Sequence, residues 1–145
     1  MIPFSIFVSG SPAAQGSKRA VGRRKNGSTI LIEQSERVAP WRADIVAEAQ
    51  RFIRGTGAPW ARLDGPLVVR LAFFVPRPPS VKRTDRERPT VAPDVDKMIR
   101  AVHDALTTAG VWADDARVVD VHATEHYDDD HQAGVSIYVE PIKEG

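Results

Sequence analysis

Apolar positions divide the chain into short strand-like runs and two helical stripes. They fill IPFSIFV (residues 2–8) and TILIE (29–33) and crowd PLVVRLAFFVP (66–76), which predicts three strands, the last largely buried and ended by Pro76. Val38, Trp41, Ile45, Ala49, Phe52 and Ile53 recur at helical spacing, so an amphipathic helix starts near Pro40 and stops at Gly55 and Gly57. Val95, Met98, Ile99, Val102, Ala105, Leu106 and Ala109 repeat the pattern and predict a second helix over Asp94–Ala109. Pro93 and Asp94 supply its start and Gly110 its stop. ARVVDVHATEHY and GVSIYVEPI read as two further strands, joined by DDDHQA into an antiparallel hairpin.

Between these elements the chain is polar. Residues 9–28, SGSPAAQGSKRAVGRRKNGS, predict a basic loop, and Arg77–Pro93 predicts an extended basic loop rich in proline. The element order implies an α+β fold: a small mixed sheet with two main helices packed on it and a C-terminal β-hairpin. At 145 residues the chain fits one domain, residues 1–145.

Composition narrows the function classes. Hydrophobic residues make up 42% and charged residues 27%, as in ordinary globular chains. No apolar run approaches the roughly 20 residues of a membrane helix, and the start lacks the basic segment of a secretory signal. Zero cysteines exclude disulfides, thiolate zinc sites and a cysteine nucleophile, and the expected location is the cytoplasm. The net charge of +1 hides a division. Residues 1–100 carry 18 Lys and Arg against 9 Asp and Glu, whereas residues 101–145 carry 2 against 10. Such asymmetry points to a polyanionic partner for the first part and to metal ligands or a solvated acidic face in the second.

The acidic residues nearest the basic loops lie in VAPDVDKMIRAVHDALTTAGVWADDARVVD (91–120). On a helix advancing about 100° per residue, Asp96, Arg100 and His103 fall within roughly 40° of one another, away from the apolar stripe. Asp94 at the helix start either caps backbone N–H groups or turns its carboxylate towards whatever Asp96 binds. Two aspartates there and one or two from Asp114–Asp115 would suit Mg²⁺, a hard cation that takes oxygen ligands together with water and phosphate. Lys18, Arg19, Arg23, Arg24 and Lys25 form one candidate phosphate-binding strip. Arg77, Lys82, Arg83, Arg86 and Arg88 form a second, diluted by Asp85 and Glu87. His103 is read as an exposed or interface histidine, His122 and His126 as sharing one sheet face, the DDDH turn as solvated, and Trp41, Trp60 and Trp112 as packing residues. A glycosidase with two separated acids is disfavoured, because the acids cluster around one helix start beside basic arms.

PDVDKMIRAVHDALTTAGVWADDARVVD resembles, without a gap from Pro93 to Asp120, the signature of the RusA family of Holliday junction resolvases. That signature is an Asp-x-Asp at a helix start, an Asp-Ala-Leu later in the helix and an Asp-Asp before a Val-Val strand. GSPAAQGSKRA and EQSERVAPWR also look like N-terminal segments of the family. The resemblance implies a homodimeric, Mg²⁺-dependent endodeoxyribonuclease, with Mn²⁺ as the alternative ion. Such an enzyme cuts branched DNA at a four-way junction with paired nicks, and needs neither a membrane nor an organic cofactor. By position, the catalytic and metal-holding carboxylates fall on Asp94, Asp96 and Asp115, with Asp114 beside them. Where the family often carries a lysine this chain has Arg100, which binds phosphate bidentately but is a poor proton donor. DNA contacts are expected from Lys18, Arg19, Arg23, Arg24, Lys82 and Arg83. The alternative is a catalytically inactive, branched-DNA-binding accessory protein of the same fold.

Overall fold

The computed structural model describes residues 3–16, 18–23, 25, 29–33 and 36–143, with the backbone alone for 18–23 and 29–33. Among the described residues six strands and two α-helices follow in the order β1 (Phe4–Ser9), β2 (Lys18–Arg23), β3 (Thr29–Glu33), α1 (Val38–Gly55), β4 (Leu67–Val75), α2 (Val95–Ala109), β5 (Val118–Tyr127) and β6 (Gly134–Pro141), with a short 3-10 turn at Asp115–Arg117 before β5. Four strands form one sheet in the order β1-β6-β4-β5, and β2 and β3 form a separate two-stranded ribbon. β4 pairs parallel with β5 and antiparallel with β6, and β1 pairs antiparallel with β6, so the sheet is mixed.

Strand alternation decides which side of the sheet the helices cover. Leu67, Val69, Leu71, Phe73 and Val75 of β4 are buried, as are Val135, Ile137 and Val139 of β6 and Phe4 and Val8 of β1. These inward side chains join Trp41, Ile45 and Ala49 of α1 and Met98, Ala101, Val102, Ala105 and Leu106 of α2 in one core. The opposite face carries the exposed Arg70, His122 and Ser136. Both helices lie where their apolar spacing predicts. Among the described residues no helix is long and apolar enough to cross a membrane.

Two connections differ from expectation. β5 and β6 run in opposite directions about the turn at 128–133, but β4 lies between them and they share no ladder. A six-residue link readily spans two strand spacings of ~4.8 Å each. β4 is also the strand with apolar side chains on both faces, Val68 at 5% exposure among them, which suits a central position. The second difference is in the N-terminal basic segment: Lys18–Arg23 is strand β2, paired with β3, rather than loop.

β1 and β6 come together at a glycine. Gly134 has φ +150°, and a Cβ added there would stand 2.1 Å from the Val8 carbonyl oxygen and 2.8 Å from Phe7 Cζ. Backbone strain and overpacking together put the cost of Gly134→Ala at about 3 kcal/mol. A thermal melt should show this as a loss of about 10 °C in Tm.

Candidate active site on the second helix

The polar side of α2 carries two groups, one at its first turn and one from His103 onward. At its start, Asp94 is an extended-backbone N-cap whose side chain makes no capping hydrogen bond; its carboxylate lies 3.3 Å from Lys97 Nζ instead. It is therefore an exposed anion rather than a helix cap. Asp96 and Arg100 are exposed one turn apart. Gly16 approaches Arg100 so closely that a Cβ there would meet the guanidinium Nη1 at 2.5 Å. The loop after β1 thus lies across α2: Gln15 N–H donates to the Lys97 carbonyl at 3.0 Å, and the Gln15 side chain bridges Arg42 on α1 and Asp104 on α2.

One residue at this end escaped the sequence reading. Glu125 sits on the helix-facing side of β5, paired with the buried Phe73, and its Oε2 is closed off from solvent without a hydrogen-bond donor among the described residues. Burial first, and the negative charge of Asp94 second, push its carboxyl up to about 7 from its ordinary 4.5. The available signal was strand phase: Ala123, Glu125 and Tyr127 share the face towards the core.

The second group lies down the helix. His103 is half-buried, edge-on to Trp112 at 5.4 Å and 88°, and its Nε2 is enclosed without a partner. It is not exposed, the first of its two expected placements, because Trp112 packs against it. Burial lowers its pKa, while Asp115 and Asp104 act in the opposite sense. Trp112 Nε1 donates to Thr107 Oγ1 at 2.7 Å and so ties the following turn to α2. In that turn the Asp114 carboxylate accepts from Ala116 N–H at 2.8 Å, which holds its pKa below the ordinary carboxylate value. Asp115, hydrogen-bonded to that carboxylate, is raised. Asp115 also lines a groove of about 830 Å³ between the helices, with Asp104, Thr107, Arg42 and Val46.

Asp94 and Asp115 therefore belong to different groups. Asp104, which shares the groove with Asp115, lies ten positions past Asp94, or ~15 Å along the helix axis at ~1.5 Å per residue. Among the described residues no three His, Asp or Glu side chains are grouped to hold one metal ion. The donor chemistry suits a hard cation, and the orphaned Glu125 oxygen beside Asp94 fits one at the helix start. Asp115 would have to reach such an ion from elsewhere.

The basic segments divide likewise. Lys18, Arg19 and Arg23 lie on β2, and Arg24 lies outside the described residues. Lys82 is exposed. Arg83 pairs with Asp129, Asp130 and Glu87 at 3.3–3.5 Å. Arg77 is a framework residue, 12% exposed at its side chain. It lies 2.6 Å from Asp129, sits over the Tyr127 ring at 4.1 Å and donates to the Arg86 and Glu87 carbonyls. The acidic turn at 128–130 thus organises the basic loop rather than being merely solvated: Asp128 accepts from Arg77 N–H and Asp129 pairs with the Arg77 side chain. On the outer sheet face His126 and His131 flank Phe74, with centroids at 5.4 and 3.8 Å.

Comparison with known proteins places these features in a family. The chain is similar to the uncharacterized protein YqaN of Bacillus subtilis (strain 168), 26% identical over 145 residues that cover 94% of each chain. The model of the family described as endodeoxyribonuclease RusA matches residues 10–140, a span that takes in the arm against Arg100, α2 with its aspartates, the Asp114–Asp115 turn and three of the four strands of the main sheet, leaving out β1. This chain belongs to the RusA endodeoxyribonuclease family.

Proposed function

We propose that the protein is a Mg²⁺-dependent endodeoxyribonuclease that resolves Holliday junctions or related branched DNA by paired nicks, acting as a homodimer. The observation that carries this reading is the family match over residues 10–140 together with uncapped, exposed Asp94 and Asp96 directly after a basic loop. Asp94, Asp96 and Asp115 would hold Mg²⁺, or Mn²⁺ in its place. When bound, such an ion polarises the scissile phosphate and lowers the pKa of a water molecule. Lys18, Arg19, Arg23, Arg24, Lys82 and Arg83 bind DNA phosphates and orient the junction.

Arg100 lies on the same side of α2 as Asp96, steadied by the close approach of Gly16. Its planar guanidinium offsets charge that develops on the phosphate, and an arginine is a poor proton donor. Arg100→Ala should lower kcat by about 10²-fold or more, the usual effect of losing one charge-stabilising donor. Arg100→Lys should recover most of the rate. Single-turnover cleavage of a four-way junction measures both.

Separation of Asp94 from Asp115 within one chain supports a site completed by the second subunit. The competing reading is an inactive junction-binding protein of this fold. Incubating the protein with a synthetic four-way junction and with linear duplex, each with Mg²⁺ and with chelator, decides between them. Nicking of the junction alone, in Mg²⁺ alone, is the expected result. Binding without nicking in either condition would leave only the accessory role.

A further inference from the structure

The inward face of a strand covered by a helix is normally apolar. β5 follows that rule at Ala123 and Tyr127 and breaks it between them at Glu125, opposite the fully buried Phe73. Oε2 of Glu125 is shut off from water and receives no hydrogen bond from the described residues. Among the described residues no basic side chain offsets it: Lys97 pairs with Asp94 at 3.3 Å, and the charge acting on Glu125 is that of Asp94, of the same sign. An enclosed carboxylate oxygen with no donor among the described residues is retained at a cost unless something that binds there satisfies it.

We propose that Glu125 is a further oxygen ligand, with Asp94, of the divalent cation held at the start of α2. The inference rests on the metal-dependent reading above and adds to it a ligand from β5 that the family pattern does not supply. Mg²⁺ commonly takes only one or two carboxylates, completing its shell with water and substrate phosphate. Asp94 and Glu125 are therefore enough protein ligands at this end of the helix. The cation gives Oε2 the partner it lacks and removes the repulsion between the two carboxylates. Asp94 keeps its side chain off the helix N–H groups, so that only Lys97, at 3.3 Å from one oxygen, competes for its carboxylate.

The test is Mn²⁺ binding to the full chain without DNA, followed by electron paramagnetic resonance of the free ion. Glu125→Gln and Glu125→Met should each weaken Mn²⁺ binding about tenfold or more and lose most of the rise in Tm that Mn²⁺ gives the unsubstituted protein. In chelator, Glu125→Met should melt no lower than the unsubstituted protein, since an apolar side chain suits the site, and this shows that the fold is kept. If both Glu125 variants bind Mn²⁺ within twofold of the unsubstituted protein while Asp94→Asn weakens it tenfold, the role of Glu125 is overturned and the metal reading stands. If Asp94→Asn also binds normally, the metal reading falls, and the role of Glu125 with it.

Discussion

Asp96→Asn is expected to leave junction binding and thermal stability unchanged while reducing strand cleavage by about 10³-fold. Asp96 is exposed on the first turn of α2 and no described hydrogen bond or ion pair depends on it, so an isosteric amide should alter stability by under ~0.5 kcal/mol. Several kcal/mol of metal-assisted stabilisation in the transition state corresponds to about three decades in rate. The measurement is single-turnover cleavage beside a gel-shift titration in chelator; cleavage at the wild-type rate would remove Asp96 from the metal centre. Asp94→Asn and Asp115→Asn should be equally inactive. Mixing those two inactive variants adds a sharper result. If one subunit supplies Asp94 and its partner supplies Asp115, the mixed dimer has one intact site and regains nicking of a single strand. If each subunit carries a whole site, the mixture stays dead.

Trp112→Ala should be the most destabilising single change near the site. Trp112 is 1% exposed, bonds Thr107 through its indole N–H and packs edge-on to His103. The backbone around it is also pinned to Leu63, whose N–H donates to the Val111 carbonyl at 3.0 Å and whose carbonyl accepts from Ala113 N–H at 2.9 Å. Removing a buried indole costs about 4 kcal/mol, or about 10–15 °C in Tm for a domain of this size. Trp112→Phe should cost far less, because it keeps the ring and loses only the N–H. Since Asp114 and Asp115 follow two and three residues later, Trp112→Ala should also lower cleavage at temperatures where the chain remains folded. Circular dichroism melts and cleavage at 20 °C separate the two effects.

Features set by local spacing were legible in the sequence. The α2 stripe of Met98, Val102, Ala105 and Leu106 is buried as its period requires, and Gly110 stops the helix in a left-handed conformation at φ +79°. β4 and α1 were legible for the same reason. Strand order was not, because adjacency along the chain does not reveal that β4 inserts between β5 and β6. Glu125 was missed through attention to motif rather than phase: a glutamate in a strand is usually on the solvated face, and only its register with Phe73 marks it as inward. Arg77 looked like one more phosphate-binding cation, because its counter-ion Asp129 lies 52 residues away. The aspartates themselves were legible as residues, whereas their division between the two ends of α2 appears only once the helix is placed against the turn that follows it.

The place of β6 bears on how the chain is made. β1, the first strand, pairs only with β6, and β6 also pairs with β4, so the four-stranded sheet is two unconnected pieces until residues 134–141 are inserted between them. On a ribosome, α2 and the parallel β4–β5 pair can form while β1 waits with its edge unpaired. Such long-range closure is slow and exposes apolar surface. The helix that carries Asp94 and Asp96 can thus be locally shaped early, but its supporting sheet is sealed only when residues 134–141 join the two pieces.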